Sequence, residues 1–417
     1  MKIKVALLNP FPVYAQDSAA IIQKNLAILL NSDVKNNLDV KVFSFGNENK
    51  KIKSRYYKEL IIKNNGFIGN KNKAIKIADY ISLFFLRYSL MYYLRNNDKR
   101  MLKEIERFNP DLFIAPHELI DIPSNYKKYV NKDIPIISAL DDYRQISEAL
   151  SNIKKKIKEK RNILIKLIYK IGINTAGNAY TLFLTKKYEQ TLKISNKITF
   201  YTEESKELTV KRYPHFAKKF LVIPPSQINY KWKKQKTRKI VKNVLFIGVC
   251  KYQPNEEAIS LIKEIIAPKL KNINFLLLGK DCVRYKHNNV ISLGFVKDIR
   301  KSVSKADICI APILHGGGIK TKVLLYLSAG KPVIATAKAF EGFPIKNGIN
   351  GIIEDDITKY PEIINKLSKD FVLRSKLSNG AQATLLQFSD FKIKKKWVKL
   401  IKQTAKAWTY EGIISRI

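Results

Sequence analysis

The sequence predicts an α/β protein of two domains, each a parallel sheet with helices on its faces. Its 417 residues exceed the size that one hydrophobic core usually serves, so about two domains are expected. Short apolar runs alternate with segments of helical period in both halves, as strands joined by crossover helices require. A polar, basic segment without periodicity, residues 227–242, separates the halves and is the predicted linker.

Each domain is predicted from its series of strands. In the N-terminal domain, residues 1–226, the strands are Val5–Leu8, Val40–Phe45, Leu112–Ala115, Ile134–Ala139 and Lys197–Tyr201. In the C-terminal domain, residues 243–390, they are Val244–Val249, Ile273–Leu278, Val290–Leu293, Asp307–Ala311, Val333–Thr336 and Gly351–Glu354. Pro254 followed by Glu256 suits a helix N-terminus. After residue 357 the pattern is helical, and residues 391–417 are predicted to end the chain as a helix.

The charge of the chain predicts an anionic partner. The sequence holds 77 Lys and Arg against 35 Asp and Glu, a formal charge of +42. Phosphorylated substrates, an anionic membrane and nucleic acid all qualify. Nucleic acid is the least expected partner, because the basic residues spread over the whole chain and form no known reading module.

Two segments of the N-terminal domain predict contact with an anionic membrane. Lys154 to Lys170 holds eight Lys and Arg and one Glu, with apolar residues near helical period, which describes a basic amphipathic helix. Tyr80 to Leu94 is apolar and aromatic, but it is too short to span a bilayer and contains Arg87. The alternative is an ordinary helix face packed on its own domain.

The cysteines and the N-terminus predict a reducing, cytoplasmic location. Cys250, Cys282 and Cys309 are odd in number and widely spaced, so we expect neither a disulfide framework nor a zinc site. Asn9-Pro10 breaks the first apolar run too early for a signal peptide.

A glycine loop predicts the binding site. Gly316, Gly317 and Gly318 stand between the strand Asp307–Ala311 and a helix, so backbone N–H groups and a helix N-terminus point at one place, where an anion is favoured. Lys320 adds a positive charge, and a diphosphate is the expected ligand. Lys322, two positions further on, must point differently around the helix and is predicted to be a solvated lysine.

This loop carries a resemblance to a known family. Gly-Gly-Gly-Ile-Lys-Thr-Lys-Val-Leu from Gly316, the Ala-Gly-Lys-Pro-Val turn and Glu341-Gly342 together resemble the donor site of the GT-B glycosyltransferases of family 4, and the resemblance covers about residues 243 to 355. It implies two Rossmann-like domains facing a cleft, with the last helix returning to the N-terminal domain. It also implies transfer of a sugar from a nucleotide-sugar to an acceptor, with retention of anomeric configuration.

The resemblance also implies roles on the donor side. Gly248 and Lys251 correspond to diphosphate ligands, and a second cation often follows about five residues later, where this chain has Asn255-Glu256-Glu257. Family members often carry two acids eight positions apart, the second on the donor's ribose; here those positions are Gly317 and Leu325. Glu341 or another carboxylate would then have to bind the ribose. No metal or other cofactor is expected, because helix dipole and lysines can stabilise the leaving diphosphate.

On the acceptor side, the candidates follow two strands of the N-terminal domain. His117 matches the histidine that the family places beside the transferred sugar, with Glu118 next to it. Asp141 and Asp142 follow another strand and are candidates to orient an acceptor hydroxyl, although Asp142 equally suits a helix cap. The acceptor is expected to be a glycan, free or lipid-linked at the inner face of the cell membrane.

Two other functions stay open at this point. A sugar-nucleotide epimerase could use the same fold, but such enzymes usually need several acidic residues in the cleft, and this cleft is poor in acids. A catalytically degenerate GT-B protein that binds a membrane or a partner is the main alternative, because Leu325 replaces the ribose acid and the charge is high.

Overall fold

The chain folds into two compact units, seen in a computed structural model that describes residues 2–9, 18–32, 37–46, 50–53, 58–63, 99–116, 119–140, 182–226, 232, 238–296 and 298–414. The first unit comprises Met1–Pro225 and Lys394–Ile417, and the second comprises Ser226–Ile393. The return of the C-terminal helix to the N-terminal unit, implied by the family resemblance, is therefore confirmed.

The N-terminal unit is built on a sheet of eight described strands. They are β1 (Ile3–Asn9), β2 (Leu38–Gly46), β3 (Lys50–Lys53), β4 (Lys58–Lys63), β5 (Leu112–Pro116), β6 (Ile136–Leu140), β7 (Lys197–Phe200) and β8 (Phe220–Val222), in the order β3-β4-β2-β1-β5-β6-β7-β8. All neighbours are parallel except the β3–β4 pair. The five predicted strands are confirmed, and β3, β4 and β8 were not predicted.

Helices cover this sheet. They are α1 (Ser18–Asn31), α2 (Lys99–Phe108), α3 (Asp121–Val130), residues 182–194 and α4 (Glu203–Arg212). Met101, Leu102 and Ile105 form the buried face of α2, and β1 buries Val5 to Leu8. Because helices lie on the faces of a parallel sheet, the central strand β5 (Leu-Phe-Ile-Ala-Pro) is apolar and buried throughout instead of alternating.

The C-terminal unit is built on a sheet of seven described strands. They are β9 (Asn243–Ile247), β10 (Asn274–Leu278), β11 (Tyr285–His287), β12 (Val290–Gly294), β13 (Ile308–Ala311), β14 (Val333–Ala335) and β15 (Ile352–Ile353), in the order β11-β12-β10-β9-β13-β14-β15. Only the β11–β12 pair among them is antiparallel. All six predicted strands are confirmed within two residues at each end, and the edge strand β11 was not predicted.

The helices of this unit are α5 (Gln253–Leu261), α6 (Ile299–Lys305), α7 (Thr321–Ser328), α8 (Tyr360–Lys369) and α9 (Phe371–Thr384). Pro254 lies in the first turn of α5, as predicted. The last helix, α10, runs from Asp390 to Ile414 and passes from this unit into the N-terminal one. No helix among the described residues is long and apolar enough to cross a membrane.

The prediction of unpaired cysteines is wrong for two of the three. Cys250 and Cys282 form a disulfide with a Cα–Cα distance of 5.0 Å, while Cys309 is a buried free thiol. The two cysteines are 32 residues apart in sequence, but β9 and β10 are neighbours in the sheet. The loops that follow these parallel strands leave the sheet at the same edge, which brings the two residues together.

Candidate functional site

The site lies where the C-terminal sheet changes direction. β9 is flanked by β10 on one side and β13 on the other, so the chain leaves the ends of β9 and β13 toward opposite sides. Such a switch point opens a crevice at the carboxyl ends of the two strands, where ligands of open α/β sheets bind. Gly248 and Lys251 follow β9, and the glycine loop with the start of α7 follows β13.

The backbone of the loop requires glycine at two of its positions. Gly316 has φ +104° and Gly318 has φ +66°, in the left-handed region that side chains disfavour. Lys320 then folds back over the loop, and its Nζ donates hydrogen bonds to the carbonyls of Gly316, Gly317 and Gly318 at 2.9, 3.1 and 2.8 Å. The C=O and N–H of a trans peptide point in opposite directions. The N–H groups that follow these carbonyls therefore face away from the ammonium.

This geometry gives Lys320 a structural part in the site. Its ammonium already holds three carbonyls, so it fixes the shape of the loop and draws the carbonyl dipoles inward. Outward N–H groups are the arrangement that binds an oxyanion. Direct contact between Lys320 and a phosphate stays a prediction.

The helix that follows adds a dipole to the loop. Lys320 is the N-cap of α7, with extended backbone at φ −87° and ψ 103°, and the helix begins at Thr321. No side chain caps this N-terminus. A helix N-terminus favours an anion by about 0.3–1 kcal/mol, which adds to the effect of the loop.

Lys322 is not the solvated lysine that we predicted. It is half-buried, its Nζ donates to Oδ1 of Asn255, and the ammonium lies 4.5 Å from the centre of the Phe246 ring. Burial, together with the smaller effect of the positive charge of Lys320, lowers the pKa of Lys322 to about 7. The misprediction came from the phase of the helix: Lys320 lies before the first helical residue, so helical spacing does not relate the two lysines.

Asn255 connects this lysine to the end of β9. Its amide donates to the carbonyl of Val249 at 2.9 Å, and its side chain packs against Gly248. A Cβ at position 248 would lie 2.7 Å from the carbonyl carbon of that amide. Gly248 is therefore needed to seat Asn255, and its predicted part in admitting a phosphate stays a prediction.

Lys251 lies in the turn between β9 and α5 and is exposed. The disulfide at Cys250 ties this turn to the loop after β10. On the other side of the crevice, His315 Nε2 lies 3.6 Å from Oε2 of Glu257, so a protonated His315 would pair with this carboxylate. The disulfide therefore fixes one end of the turn from which the predicted phosphate contact of Lys251 comes.

The two residues assigned to the ribose side are both buried. Leu325 is 4% exposed and belongs to the apolar face of α7. Glu341 is 9% exposed and pairs with Lys338 at 2.9 Å. A ribose role for either residue stays a prediction. No cluster of three or more His, Cys, Asp and Glu that could hold a metal occurs within the described part of the chain.

The acceptor candidates of the N-terminal unit, His117, Glu118, Asp141 and Asp142, lie outside the described residues. So do the loop 10–17 and the segments Tyr80 to Leu94 and Lys154 to Lys170. The strands before the four candidates end side by side, with Pro116 of β5 paired with Ala139 of β6.

Sequence reasoning missed a polar cluster on the N-terminal sheet. Asn9, Ser44 and Glu59 are all at most 2% exposed, and Ser44 Oγ donates to Glu59 Oε1 at 2.6 Å. Asn9 is paired with Ser44 across β1 and β2. A carboxylate next to the apolar run Leu60-Ile61-Ile62 of the strand Lys58–Lys63 was the signal that could have revealed it.

Solved structures with the same architecture cover almost the whole chain. Sucrose-phosphate synthase from Thermosynechococcus elongatus matches with a TM-score of 0.65 at 12% identity, over 97% of this chain and 100% of that protein. HepE from Anabaena, in complex with UDP and glucose, matches with a TM-score of 0.61 at 12% identity, over 96% of this chain and 99% of that protein. A glycosyltransferase from Rickettsia africae matches with a TM-score of 0.59 at 14% identity, over 97% of this chain and 99% of that protein. The chain therefore has the GT-B fold.

A family match adds to the fold. Residues 241–370 match the family model described as Glycosyl transferases group 1, and no curated protein sequence matches the chain. The matched segment contains the glycine loop, the start of α7 and Glu341. The resemblance predicted from the sequence is confirmed for this segment, and the match supports sugar transfer as the activity. Membership of family 4 stays a prediction.

Proposed function

We propose that this protein transfers a sugar from a nucleotide-sugar to an acceptor, with the donor's diphosphate bound at the switch point of the C-terminal unit. One observation carries the proposal: a glycine loop with its carbonyls drawn onto Lys320 meets the start of α7. Loop N–H groups and a helix N-terminus then converge on one anion. HepE, which shares the fold, was solved with UDP and glucose, and this supports a donor of that class.

The chemistry follows from the charge that develops on the leaving diphosphate. As the bond from the sugar to the phosphate breaks, negative charge grows on the phosphate oxygens. We assign the stabilisation of this charge to the loop N–H groups, the α7 dipole and Lys251, which can supply it without a metal. We further propose retention of configuration, in which the leaving phosphate takes the proton of the attacking hydroxyl. That route needs no protein nucleophile.

The N-terminal unit is proposed to bind the acceptor. His117 is assigned to the transferred sugar, and Glu118, Asp141 and Asp142 are assigned to the acceptor hydroxyls. We propose a glycan acceptor, free or lipid-linked, reached from the cytoplasmic face of an anionic membrane. The formal charge of +42 supports this surface, since each basic residue near it adds about 1 kcal/mol.

A panel of nucleotide-sugars tests the donor. We expect one of them to raise the melting temperature and to be hydrolysed slowly to its nucleoside diphosphate, because water replaces the acceptor. NMR of the first-formed anomer with an accepted acceptor would then check retention. If no nucleotide-sugar shifts the melting temperature and none is hydrolysed, the proposed function is wrong.

A second candidate, a catalytically degenerate GT-B protein, is favoured by one observation. Leu325 is buried where family members carry the ribose acid. This candidate predicts that a donor or nucleoside diphosphate binds without any hydrolysis or transfer. The same panel therefore separates the two functions, since they share binding and differ in turnover.

The membrane proposal has its own test. The full chain should sediment with vesicles that contain anionic lipid. The fraction of protein bound should fall as the salt concentration rises, because at 0.1 M salt charges further apart than about 10 Å are largely screened. Neutral vesicles are the control and should bind weakly. Equal binding to both kinds, or to neither, would remove the membrane from the proposal.

A further inference from the structure

We propose that Lys322 is a second phosphate-binding cation of this site, supplied by α7 in place of the cation that is missing after Lys251. This inference rests on the proposed function, since it requires a diphosphate at the glycine loop. It assigns to Lys322 a role that its sequence position did not suggest.

The position of the ammonium is fixed by β9 and α5 together. Asn255 accepts a hydrogen bond from Lys322 Nζ and is itself tied to the carbonyl of Val249 at 2.9 Å. The Phe246 ring lies 4.5 Å from the same ammonium, a distance at which a cation and a ring attract. An ammonium has three N–H donors, and Asn255 takes one of them. Lys322 is thus held at the end of β9, and among the described residues its ammonium keeps donors for a ligand oxygen.

The missing cation and this contact occur at the same place. In the family, a cation often stands about five residues after the one that Lys251 matches, and here that segment reads Asn255-Glu256-Glu257. The segment has no cation of its own, but it supplies the amide that holds one from α7. The charge therefore reaches the crevice from a different element.

Lys320 and Lys322, the two lysines near the glycine loop, have different roles. Lys320 holds three loop carbonyls within 3.1 Å and shapes the loop. Lys322 is held by one neutral amide and one ring, neither of which neutralises its charge. A half-buried lysine with no carboxylate acting on it among the described residues gains a counter-ion when a phosphate binds.

The electrostatics give this role a pH signature. The elements packed around Lys322 contribute the neutral Asn255 from α5, Phe246 from β9 and the cation Lys320 from the loop. The pKa of Lys322 is lowered to about 7. β13, which also packs on α7, contributes Cys309, and burial raises the pKa of this thiol to about 12, so it is uncharged at neutral pH. β14 contributes only apolar side chains, and α9 meets the far end of α7, where Ser378 donates to Gly330.

The sign of the pH dependence follows. A bound diphosphate raises the pKa of Lys322, because it favours the charged form. Binding therefore takes up a proton once the pH exceeds about 7, the pKa of the unbound lysine. Affinity should be highest near that pH and fall as the pH rises toward the pKa of the complex, by up to about tenfold per unit.

Calorimetric titration of the full chain with UDP, GDP and ADP between pH 7 and 9.5 tests the inference. Wild type should bind one of them with the pH dependence just described. Lys322→Met, which keeps the packing on Phe246, should bind about tenfold or more weakly at pH 7 and show no such dependence. Lys322→Arg should restore affinity at pH 9 and also lose the dependence, since its guanidinium stays charged. Lys320→Met is the matched control and should keep a pH dependence, shifted to higher pH because the charge of Lys320 lowers the pKa of Lys322.

The outcomes separate the two proposals. If wild type binds a nucleoside diphosphate and Lys322→Met binds it equally, with the same pH dependence, the role of Lys322 is overturned and the proposed function stands. If wild type binds none of the three and hydrolyses no donor, the proposed function itself fails. Should Lys322→Met melt well below wild type, the arginine variant decides: a retained pH dependence would overturn the role, and its loss would support it.

Discussion

The strand ends of the two sheets can be compared directly, because each sheet has the same switch. β1 lies between β2 and β5, as β9 lies between β10 and β13. At the C-terminal switch, the described residues bring together Lys251, Lys320 and Lys322 with a glycine loop. On the N-terminal sheet, the polar cluster of Asn9, Ser44 and Glu59 is buried and bears no positive charge.

Under the proposed function, this difference lets one fold bind two different ligands. A parallel sheet places loops and helix N-termini at the carboxyl ends of its strands, and the side chains there decide what binds. Cations and glycines at β9 and β13 suit a diphosphate. The buried amide, hydroxyl and carboxylate of β1, β2 and β4 bring no positive charge to their strands and do not suit a diphosphate. We therefore assign the donor to the C-terminal unit and the acceptor to the N-terminal unit.

The largest expected effect concerns Leu325, where the C-terminal unit lacks the family's acid. Leu325→Glu buries a carboxylate in the core, and burial raises the pKa of that carboxyl. A rise of about three units would lower the unfolding free energy by about 4 kcal/mol. The cost is absent below the unfolded pKa of about 4.3 and grows as the pH rises above it. Thermal melts at pH 5 and pH 8 measure it.

Leu325→Met is the control for this substitution and should cost less than about 1.5 kcal/mol. If nucleoside diphosphate rescues the melting temperature of Leu325→Glu, residue 325 faces the ribose and the helix assignment changes.

The Cys250–Cys282 disulfide lies in the C-terminal unit, so its removal should change the stability of that unit. Cys250→Ser with Cys282→Ser removes a link between residues 32 apart and should lower the unfolding free energy of the C-terminal unit by about 2–4 kcal/mol. Chemical denaturation with and without reductant measures the effect. Reductant should not change the double variant further. An unchanged midpoint for reduced wild type would show that the turn at Lys251 does not depend on this bond.

The glycine loop should show a smaller effect that depends on position. Gly318 has φ +66° and open space around a Cβ, so Gly318→Ala acts through the backbone alone, by about 1–2 kcal/mol. We expect the loop to relax and nucleoside diphosphate affinity to fall about fivefold or more. Gly317→Ala, outside the left-handed region, is the matched control. Equal losses in the two variants would contradict the loop geometry.

The smallest expected effect tests the N-terminal half of the comparison. Glu59→Gln keeps an acceptor for the Ser44 hydroxyl but removes the charge, which should cost about 1 kcal/mol of stability. Nucleoside diphosphate affinity should stay within about twofold of wild type, because Glu59 lies in the other unit. A loss of donor affinity comparable to that of Lys322→Met would show that the two units do not divide the ligands as we assign them.

The buried strands could be predicted from sequence, and the edge strands could not. β1, β9 and β10 are continuous apolar runs, because helices cover their sheets. β3 is Lys-Lys-Ile-Lys, an exposed edge whose composition gives no apolar signal. β8 and β11 are three residues each, too short for a pattern to appear. Edge strands are held by pairing with a neighbour, which a single sequence does not reveal.

The site was predictable where local chemistry decides it. Three glycines before a helix predict an anion loop whatever surrounds them. The Cys250–Cys282 bond depends instead on β9 and β10 being neighbours, and the place of Lys322 depends on Asn255, 67 residues away. Both require the order of the strands, which follows from tertiary packing.

Hydrogen–deuterium exchange of the full chain, with and without a saturating nucleoside diphosphate, tests the division of the ligands most directly. The account predicts slower exchange in residues 314–324 and 248–256 and little change in β1, β2 and β4. Protection at the strand ends of the N-terminal sheet, with none at the glycine loop, would contradict it.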